Sequence, residues 1–328
     1  MIVGTAALTH TPLSDRIRAP AELEQAFEAA VTRAAERVAA WKPDVTVVFF
    51  PDHFNGFHYD LMPAFCIGIE ADSIGDWGTI PGRIDVPEDL ALDCARACLA
   101  SGVDIAISYK MKADHGYAQV VESLSQVSLL SKVIPIFINC AAAPRPTFGR
   151  CRALGSAVGQ WAAAAGARIL LLASGGLSHD PPSLTLSGST PELRARLTRG
   201  GASSHSERTE RQQRVLRAGL LYSSGKSGLR NLNPDWDKSF LSSLSAGSFE
   251  FADHWSEDEL TDVAGCGSHE IRTWLAAWSA ASVGGQLHTL IEFSAPIAEW
   301  ITSCAVATAA PSPLSAADGT SGRVGDIG

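Results

Sequence analysis

The chain lacks several features that mark whole classes of protein. It has no run of lysine and arginine, and its formal net charge is −9 over 328 residues, so nucleic acid and anionic membranes are poor partners. Its apolar runs are of strand length and fall short of the roughly 18 residues that a membrane helix needs. The first residues form a strand-like run without the charged start of a secretory signal. We therefore expect a cytoplasmic protein that binds neither nucleic acid nor membrane.

Paired cysteines and a serine-hydrolase motif are also missing. The seven cysteines form an odd set with no C-x-x-C spacing, which argues against structural zinc and against a disulfide framework. In a cytoplasmic chain such thiols usually behave as small apolar side chains. Ser178 precedes His179, but no G-x-S-x-G elbow surrounds it. The candidate functional residues are therefore histidines and carboxylates.

Hydrophobic periodicity predicts strands that alternate with helices. The predicted strands are 1–8, 45–50, 103–109, 133–139 and 168–173. The predicted helices are 20–41, 87–100, 117–130 and 148–165, followed after Pro182 by helices alone at 191–199, 206–223, 257–264 and 269–282. This order predicts a single three-layer α/β domain, with a mostly parallel sheet, helices on both faces and a helical C-terminal half. We expect a catalytic domain over 1–305 and a disordered tail over 306–328, which is rich in alanine, serine, glycine and proline.

Four of the nine histidines, His10, His53, His115 and His179, follow strand-like runs directly or after a short polar stretch. Ligands of open α/β sheets bind outside the carboxyl ends of the strands. Histidine both ligates metals and titrates near neutral pH. The shared placement therefore indicates a metal site or an acid/base site at one edge of the sheet.

Among these, His10 and His53 are the candidate metal ligands, with Asp52 as a group that orients an imidazole. Glu270, near a predicted helix start, is the best third ligand, although it could instead only complement the helix dipole. His58 and His269 are the alternatives to it.

His115 and His179 lie beside or near glycines, which permit close approach of a bound molecule. Tyr117 and Asn139 are candidate substrate-binding donors, and a turn-forming role is equally open for Asn139. Arg145 and Arg150 are the candidate cations for a substrate carboxylate, with an ordinary surface position as the alternative.

Motifs spread over nearly the whole chain resemble the class III extradiol dioxygenases, and among these the 2,3-dihydroxyphenylpropionate 1,2-dioxygenase group. The segments that carry the resemblance are Leu8-Thr-His-Thr-Pro12, Pro51-Asp-His-Phe-Asn-Gly-Phe-His-Tyr-Asp60, Ala113-Asp-His-Gly-Tyr-Ala-Gln119, Ser174-Gly-Gly-Leu-Ser-His-Asp-Pro-Pro182, Asn231-Leu-Asn-Pro-Asp-Trp-Asp237 and Ser268-His-Glu-Ile-Arg-Thr-Trp274. The likeness is weaker over 222–230 and beyond Trp300.

The resemblance implies that His10, His53 and Glu270 hold Fe(II), and that His115 and His179 are the acid/base histidines. We take His179 as the base and His115 as the acid, although the sequence does not fix which of them performs each proton transfer. It implies a homo-oligomer that cleaves a 3-substituted catechol with O2, most simply 3-(2,3-dihydroxyphenyl)propionate. Three alternatives stay open at this point. The substrate of the dioxygenase could be a different substituted catechol. Two histidines and a carboxylate also suit a zinc hydrolase, and a fold can serve a binding protein without catalysis. Such a binding protein would be expected to lack some of the five residues.

Overall fold

The computed structural model describes residues 1–201 and 203–311. The strands are β1 (Ile2–Leu8), β2 (Val45–Phe50), β3 (Phe65–Gly68), β4 (Ala71–Ser73), β5 (Gly82–Arg83), β6 (Ala106–Ser108), β7 (Met111–Ala113), β8 (Val133–Ile138), β9 (Ile169–Ser174), β10 (Leu287–Ile297) and β11 (Thr302–Pro311). The helices are α1 (Ala21–Trp41), α2 (Glu88–Ala100), α3 (His115–Leu124), α4 (Phe148–Ala164), α5 (Pro191–Leu197), α6 (His205–Ser223), α7 (Pro234–Ser245), α8 (Glu257–Ala264) and α9 (Ile271–Ser282).

A large mixed sheet forms the centre of the molecule, in the strand order β10-β11-β1-β9-β2-β8-β3-β6. Its four central strands, β1, β9, β2 and β8, run parallel to one another. Antiparallel pairs occur on both sides of them, between β1 and β11, β10 and β11, and β3 and β8. A small second sheet has the order β5-β4-β7.

Alternate residues of the central strands enter two separate cores. In β2, Val47 and Phe49 pack with α4 and α9 on one face, whereas Val48 and Phe50 pack with α1 and α3 on the other. Every residue of β2 is buried, because helices cover both faces of a parallel sheet and leave no polar side. The predicted three-layer α/β fold is therefore confirmed.

Several predictions about the C-terminal half were wrong. The strands do not stop after Pro182, since β10 and β11 complete one side of the large sheet. The predicted tail boundary is too early, because residues 306–311 belong to β11, and residues 312–328 lie outside the described residues. Alanine has little preference for strands, yet the alanine-rich β11 is buried between β1 and β10. Packing therefore overrides local preference there.

In the described part of the chain, no helix is long and apolar enough to cross a membrane.

Candidate active site

The three neighbouring parallel strands β1, β9 and β2 bring His10, His179 and His53 to one edge of the sheet, because each residue follows the carboxyl end of its strand. Glu270 immediately precedes α9 and reaches this edge from one helical layer. His115 is the first residue of α3 and reaches it from the other layer. All five predicted side chains therefore meet where the sheet and both helical layers converge.

The route of His115 to this edge differs from the sequence interpretation. We expected it to follow a strand of the main sheet, but β7 of the small sheet precedes it. Its position is set instead by the start of α3, where the carboxylate of Asp114 accepts a hydrogen bond from the backbone N–H of Gly116 and caps the helix.

Three donor atoms face one another closely enough to surround one metal ion. His10 Nε2 lies 3.3 Å from His53 Nε2, and Glu270 Oε1 lies 3.2 Å from His53 Nε2 and 3.9 Å from His10 Nε2. Donor atoms bound at right angles, about 2 Å from one ion, lie roughly 3 Å apart. Two imidazoles and one carboxylate on one side therefore fit a metal with open positions on the other.

Hydrogen bonds on the far side of each ring orient these imidazoles. His10 Nδ1 lies 3.0 Å from Ser174 Oγ, and His53 Nδ1 lies 3.0 Å from Asp114 Oδ2. A carboxylate only accepts hydrogen bonds, so His53 Nδ1 carries the hydrogen and its Nε2 is left to face the cluster. Asp114 Oδ2 also accepts hydrogen bonds from the backbone N–H of His53 and the amide of Asn55.

Burial and neighbouring charges set the protonation of the three groups. Burial lowers the pKa of His10 to about 3, so its ring is neutral at neutral pH and has one nitrogen with a free lone pair. Burial also disfavours the charged form of His53, but the carboxylates of Asp114 and Glu270 outweigh it and hold the pKa of His53 well above its ordinary value. For Glu270, burial is outweighed by the nearby histidines, which hold its pKa below the ordinary value. A metal would therefore meet an anionic carboxylate and would replace the proton on His53.

His115 is the rival third ligand, because its ring places a nitrogen within 4.8 Å of ligand nitrogens of His10 and His53. Its ring, however, stacks on that of His53, with 4.3 Å between centroids and 24° between planes. Lone pairs of stacked rings point side by side and not toward a common centre. In addition, His115 Nδ1 lies 2.7 Å from Asp76 Oδ2, so that nitrogen is engaged by a carboxylate and only Nε2 could reach a metal.

The ring of His179 lies beside the cluster, with its Nε2 3.8 Å from Glu270 Oε2. Its Nδ1 lies 3.0 Å from the carbonyl oxygen of Leu177. A carbonyl oxygen accepts only, so Nδ1 carries the hydrogen and Nε2 of the neutral ring is an acceptor. This arrangement leaves His179 able to take up a proton.

The sequence analysis predicted that Asp52 orients an imidazole, but the structure shows a different role. Its carboxylate accepts hydrogen bonds from the backbone N–H groups of Asn55, Gly56 and Phe57 at 2.9–3.1 Å, and so shapes the loop after β2. The orienting carboxylate is that of Asp114. Arg211 supports the same loop by donating to the carbonyl oxygens of His53 and Phe54.

A cleft of about 840 Å³, including its open mouth, reaches the cluster and is lined by His10, His53, His115 and His179. Its walls are largely apolar and aromatic, a composition that suits an aromatic ligand. These wall residues are Leu13, Phe54, Trp77, Leu184, Val215 and Trp300.

The two predicted substrate-binding residues do not line this cleft. Tyr117 is buried in the core beneath it, with its ring 5.6 Å from that of Phe50. Asn139 closes a turn after β8, donating to the carbonyl oxygen of Ala142 at 2.7 Å and accepting from its N–H at 2.9 Å.

The two alternative ligands are also placed elsewhere. His269 has both ring nitrogens engaged, by Arg272 and Thr261, and His58 lines a neighbouring pocket.

The sequence analysis did not identify Asp76 and Asp114 as the carboxylate partners of His115 and His53. Asp114 directly precedes His115 in the quoted motif, and its position before a predicted helix was a usable signal for a helix cap. Asp76 lies in a short turn between β4 and β5, and nothing in the local pattern pointed to His115.

Comparison with known proteins adds to this geometry. Residues 4–304 match the family described as the catalytic LigB subunit of aromatic ring-opening dioxygenase. The chain is similar to proteins named 2,3-dihydroxyphenylpropionate/2,3-dihydroxicinnamic acid 1,2-dioxygenase. That of Mycobacterium ulcerans is 42% identical over 95% of this chain and 100% of the relative, and that of Paraburkholderia xenovorans is 42% identical over 90% and 93%.

The fold is also similar to the crystal structure of an uncharacterized protein from Escherichia coli K12. The TM-score is 0.52 and the sequence identity 11%, over 93% of this chain and 99% of that one.

Proposed function

Because this chain belongs to the LigB family of aromatic ring-opening dioxygenases, we propose that it cleaves the ring of 3-(2,3-dihydroxyphenyl)propionate with O2 at Fe(II). The bond that breaks lies outside the diol, beside a hydroxyl-bearing carbon. Both oxygen atoms enter the product, 2-hydroxy-6-oxonona-2,4-dienedioate. The observation that carries the proposal is the meeting of four imidazoles and one carboxylate at an apolar cleft. The names of the relatives support the choice of substrate.

In this proposal, His10, His53 and Glu270 hold the iron, because their donor atoms converge. Bound Fe(II) would supply a Lewis acid for the catechol oxygens and electrons for O2 at its open positions. Glu270 is itself fixed by the backbone N–H of Gly176, which donates to Oε2 at 2.8 Å. That hydrogen bond leaves Oε1 directed at the two imidazoles.

His179 is the base in the proposed reaction. Its Nε2 accepts while Nδ1 is held by Leu177, so it can remove the proton of a catechol hydroxyl that is too weak an acid to ionise alone. The nearby carboxylate of Glu270 would stabilise the imidazolium that forms.

His115 is the acid, and Asp76 stabilises its protonated form. A proton on His115 can be delivered to oxygen as the ring opens, since the ring lines the same cleft as His179. The apolar walls keep bulk water away from these transfers.

Anaerobic reconstitution with Fe(II), followed by 3-(2,3-dihydroxyphenyl)propionate in air, tests the proposal. We expect a yellow ring-fission product and the uptake of about one O2 per substrate. Protein loaded with Zn(II) is the matched control and should consume no oxygen. O2 uptake with another 3-substituted catechol but not with this acid would indicate a dioxygenase of different substrate. Hydrolysis of an ester or amide by the zinc-loaded protein, without O2 uptake by the iron-loaded protein, would indicate the hydrolase instead, and no reaction with either metal would indicate a binding protein.

The homo-oligomer and the cytoplasmic location expected from the sequence stay predictions. Light scattering after gel filtration and cell fractionation would test them.

A further inference from the structure

The segment that covers the cleft is basic in an otherwise acidic protein. Between residues 191 and 217 there are seven arginines and three glutamates, whereas the whole chain has a net charge of −9. Helix α6 presents Arg211, Arg214 and Val215 to the cleft. Residues three and four positions apart share one face of a helix, so this face of α6 forms part of the wall that a substrate would meet.

Four arginines of this segment already have partners. Arg208 donates to the carbonyl oxygen of Ser203. Arg196 lies 3.7 Å from Glu210, Arg199 lies 3.1 Å from Glu207, and Arg211 donates to oxygens of the loop after β2, including Asn55 Oδ1 at 3.0 Å. The structure therefore uses these charges to hold its own loops and helices.

Arg214 differs from these four. Within the described residues its guanidinium forms no ion pair and no hydrogen bond, and its Nε is buried without a partner. Burial lowers the pKa of Arg214 from its ordinary value, but a guanidinium stays charged at neutral pH. A buried donor without an acceptor costs free energy, which an incoming anion recovers. Of the two described cleft-lining arginines, Arg214 is the one without a hydrogen-bond or ion-pair partner.

The position of α6 is fixed by a close approach at Gly219. A Cβ atom there would lie 2.9 Å from Ile17 Cδ1 and 3.0 Å from Leu13 Cδ1, so the helix packs directly against the loop that carries His10, and a larger residue would displace those side chains. Arg214 is thereby held over the same cleft as the four histidines.

We propose that Arg214 binds the side-chain carboxylate of the substrate. The inference rests on the proposed function and deepens it, since it names the group that selects a catechol with an acidic side chain. A guanidinium can donate two parallel hydrogen bonds to a carboxylate. The cations suggested by the sequence do not compete for this role. Arg145 is engaged by Glu257 and by the carbonyl oxygens of Cys140 and Ala141, and Arg150 is exposed outside the cleft.

The test compares Arg214→Gln with Arg217→Gln, which removes the same charge from an exposed position on the same helix. Each protein is assayed with 3-(2,3-dihydroxyphenyl)propionate and with 3-propylcatechol, its uncharged analogue. For Arg214→Gln we expect kcat/KM to fall by about 10–100-fold with the acid, mainly through KM, and to stay within about twofold with the analogue. Arg217→Gln should resemble the wild type with both substrates.

Binding without turnover separates this inference from the proposed function. Calorimetry under anaerobic conditions should show that wild-type protein binds the acid more tightly than 3-propylcatechol, and that Arg214→Gln loses this preference. If wild-type protein prefers the acid, Arg214→Gln loses this preference, and neither protein cleaves the ring, the proposed function is contradicted while the role of Arg214 is supported. An equal loss for both ligands in Arg214→Gln, or an unchanged preference for the acid, would overturn the role of Arg214.

Discussion

At the scale of single residues, a proposed metal-binding histidine and a proposed proton-donating histidine each have their own carboxylate partner. Asp114 is hydrogen-bonded to His53, a proposed metal ligand, and Asp76 is hydrogen-bonded to His115, a proposed proton donor. The two pairs are adjacent, since the rings of His53 and His115 stack. Replacing each carboxylate by its amide therefore tests the division of labour with nearly isosteric changes.

The Asp114→Asn variant should bind metal about 10–100-fold more weakly, because the ring of His53 loses its charged acceptor. Competition with a chelator, measured on folded protein, gives this affinity. A metal affinity equal to that of the wild type would mean that His53 does not depend on Asp114 for its orientation.

The Asp76→Asn variant should keep its metal affinity and lose about tenfold or more in kcat, because the imidazolium of His115 is no longer stabilised. Loss of metal equal to that in Asp114→Asn would move His115 into the ligand set.

The sequence contained most of the site at this scale, but not the partners of the histidines. His10, His53 and His179 could be predicted because each follows a strand, and strand ends share an edge. Asp76 could not, because the contact to His115 spans 39 positions of the chain and depends on the packing of the small sheet. The open role of Arg214 likewise follows only from knowing which neighbouring arginines are already paired.

At the scale of elements, the turn before α9 brings two site residues together. Gly267 lies in that turn, and a Cβ atom there would lie 2.1 Å from Nε2 of His179. A side chain at position 267 would therefore displace the imidazole of His179 without replacing His179 itself.

Gly267→Ala should therefore lower kcat by about 10²-fold, the usual size of a lost acid/base contribution, with iron still bound. The measurement is kcat together with iron content. Gly225→Ala is a poor control because Gly225 has a positive φ. Gly228→Ala is suitable, since a Cβ atom there meets nothing within 4 Å. Wild-type kcat in Gly267→Ala would show that the base is not His179.

The junction of α8 and α9 contains a buried neutral histidine. Arg272 donates to His269 Nδ1 at 2.7 Å, so His269 Nε2 carries the hydrogen toward Thr261 Oγ1 at 2.9 Å. Burial and the charge of Arg272 lower the pKa of His269 to about 2, from an ordinary value of 6.5. Below pH 6.5 the unfolded chain therefore takes up a proton that the folded chain excludes.

Stability should accordingly fall as the pH drops below 6.5, and His269 should contribute about 1.4 kcal/mol per pH unit to that slope. Urea unfolding of metal-free protein between pH 6 and pH 5 measures it. In His269→Gln the amide cannot be protonated, so the slope should be shallower by about that amount. Equal slopes in the two proteins would mean that His269 does not contribute to the pH dependence of the unfolding free energy.

The elements were predicted unevenly, for a physical reason. Helices such as α1 and α4 bury one apolar stripe and match their predicted ranges closely. Strands β10 and β11 were missed because β10 is partly exposed and lacks a buried run, while β11 is rich in alanine. Their pairing is a long-range contact that no local pattern encodes.

At the scale of the whole molecule, the strand order explains why distant histidines meet. Strand β9 lies between β1 and β2, so residues 10, 53 and 179 reach one edge only when the sheet is complete. The two helical layers then supply His115 and Glu270 from opposite sides. The site therefore depends on the entire three-layer fold, and unfolding of either layer should release the metal.

The central claim is that Glu270 completes the metal site while His115 serves proton transfer. The decisive measurement is the iron bound per chain in Glu270→Gln and His115→Gln after anaerobic reconstitution and gel filtration. We predict that His115→Gln binds about one iron, as the wild type does, and turns over about 10²-fold more slowly, whereas Glu270→Gln binds little iron. Full iron in Glu270→Gln together with lost iron in His115→Gln would contradict the account, because three histidines would then form the metal site.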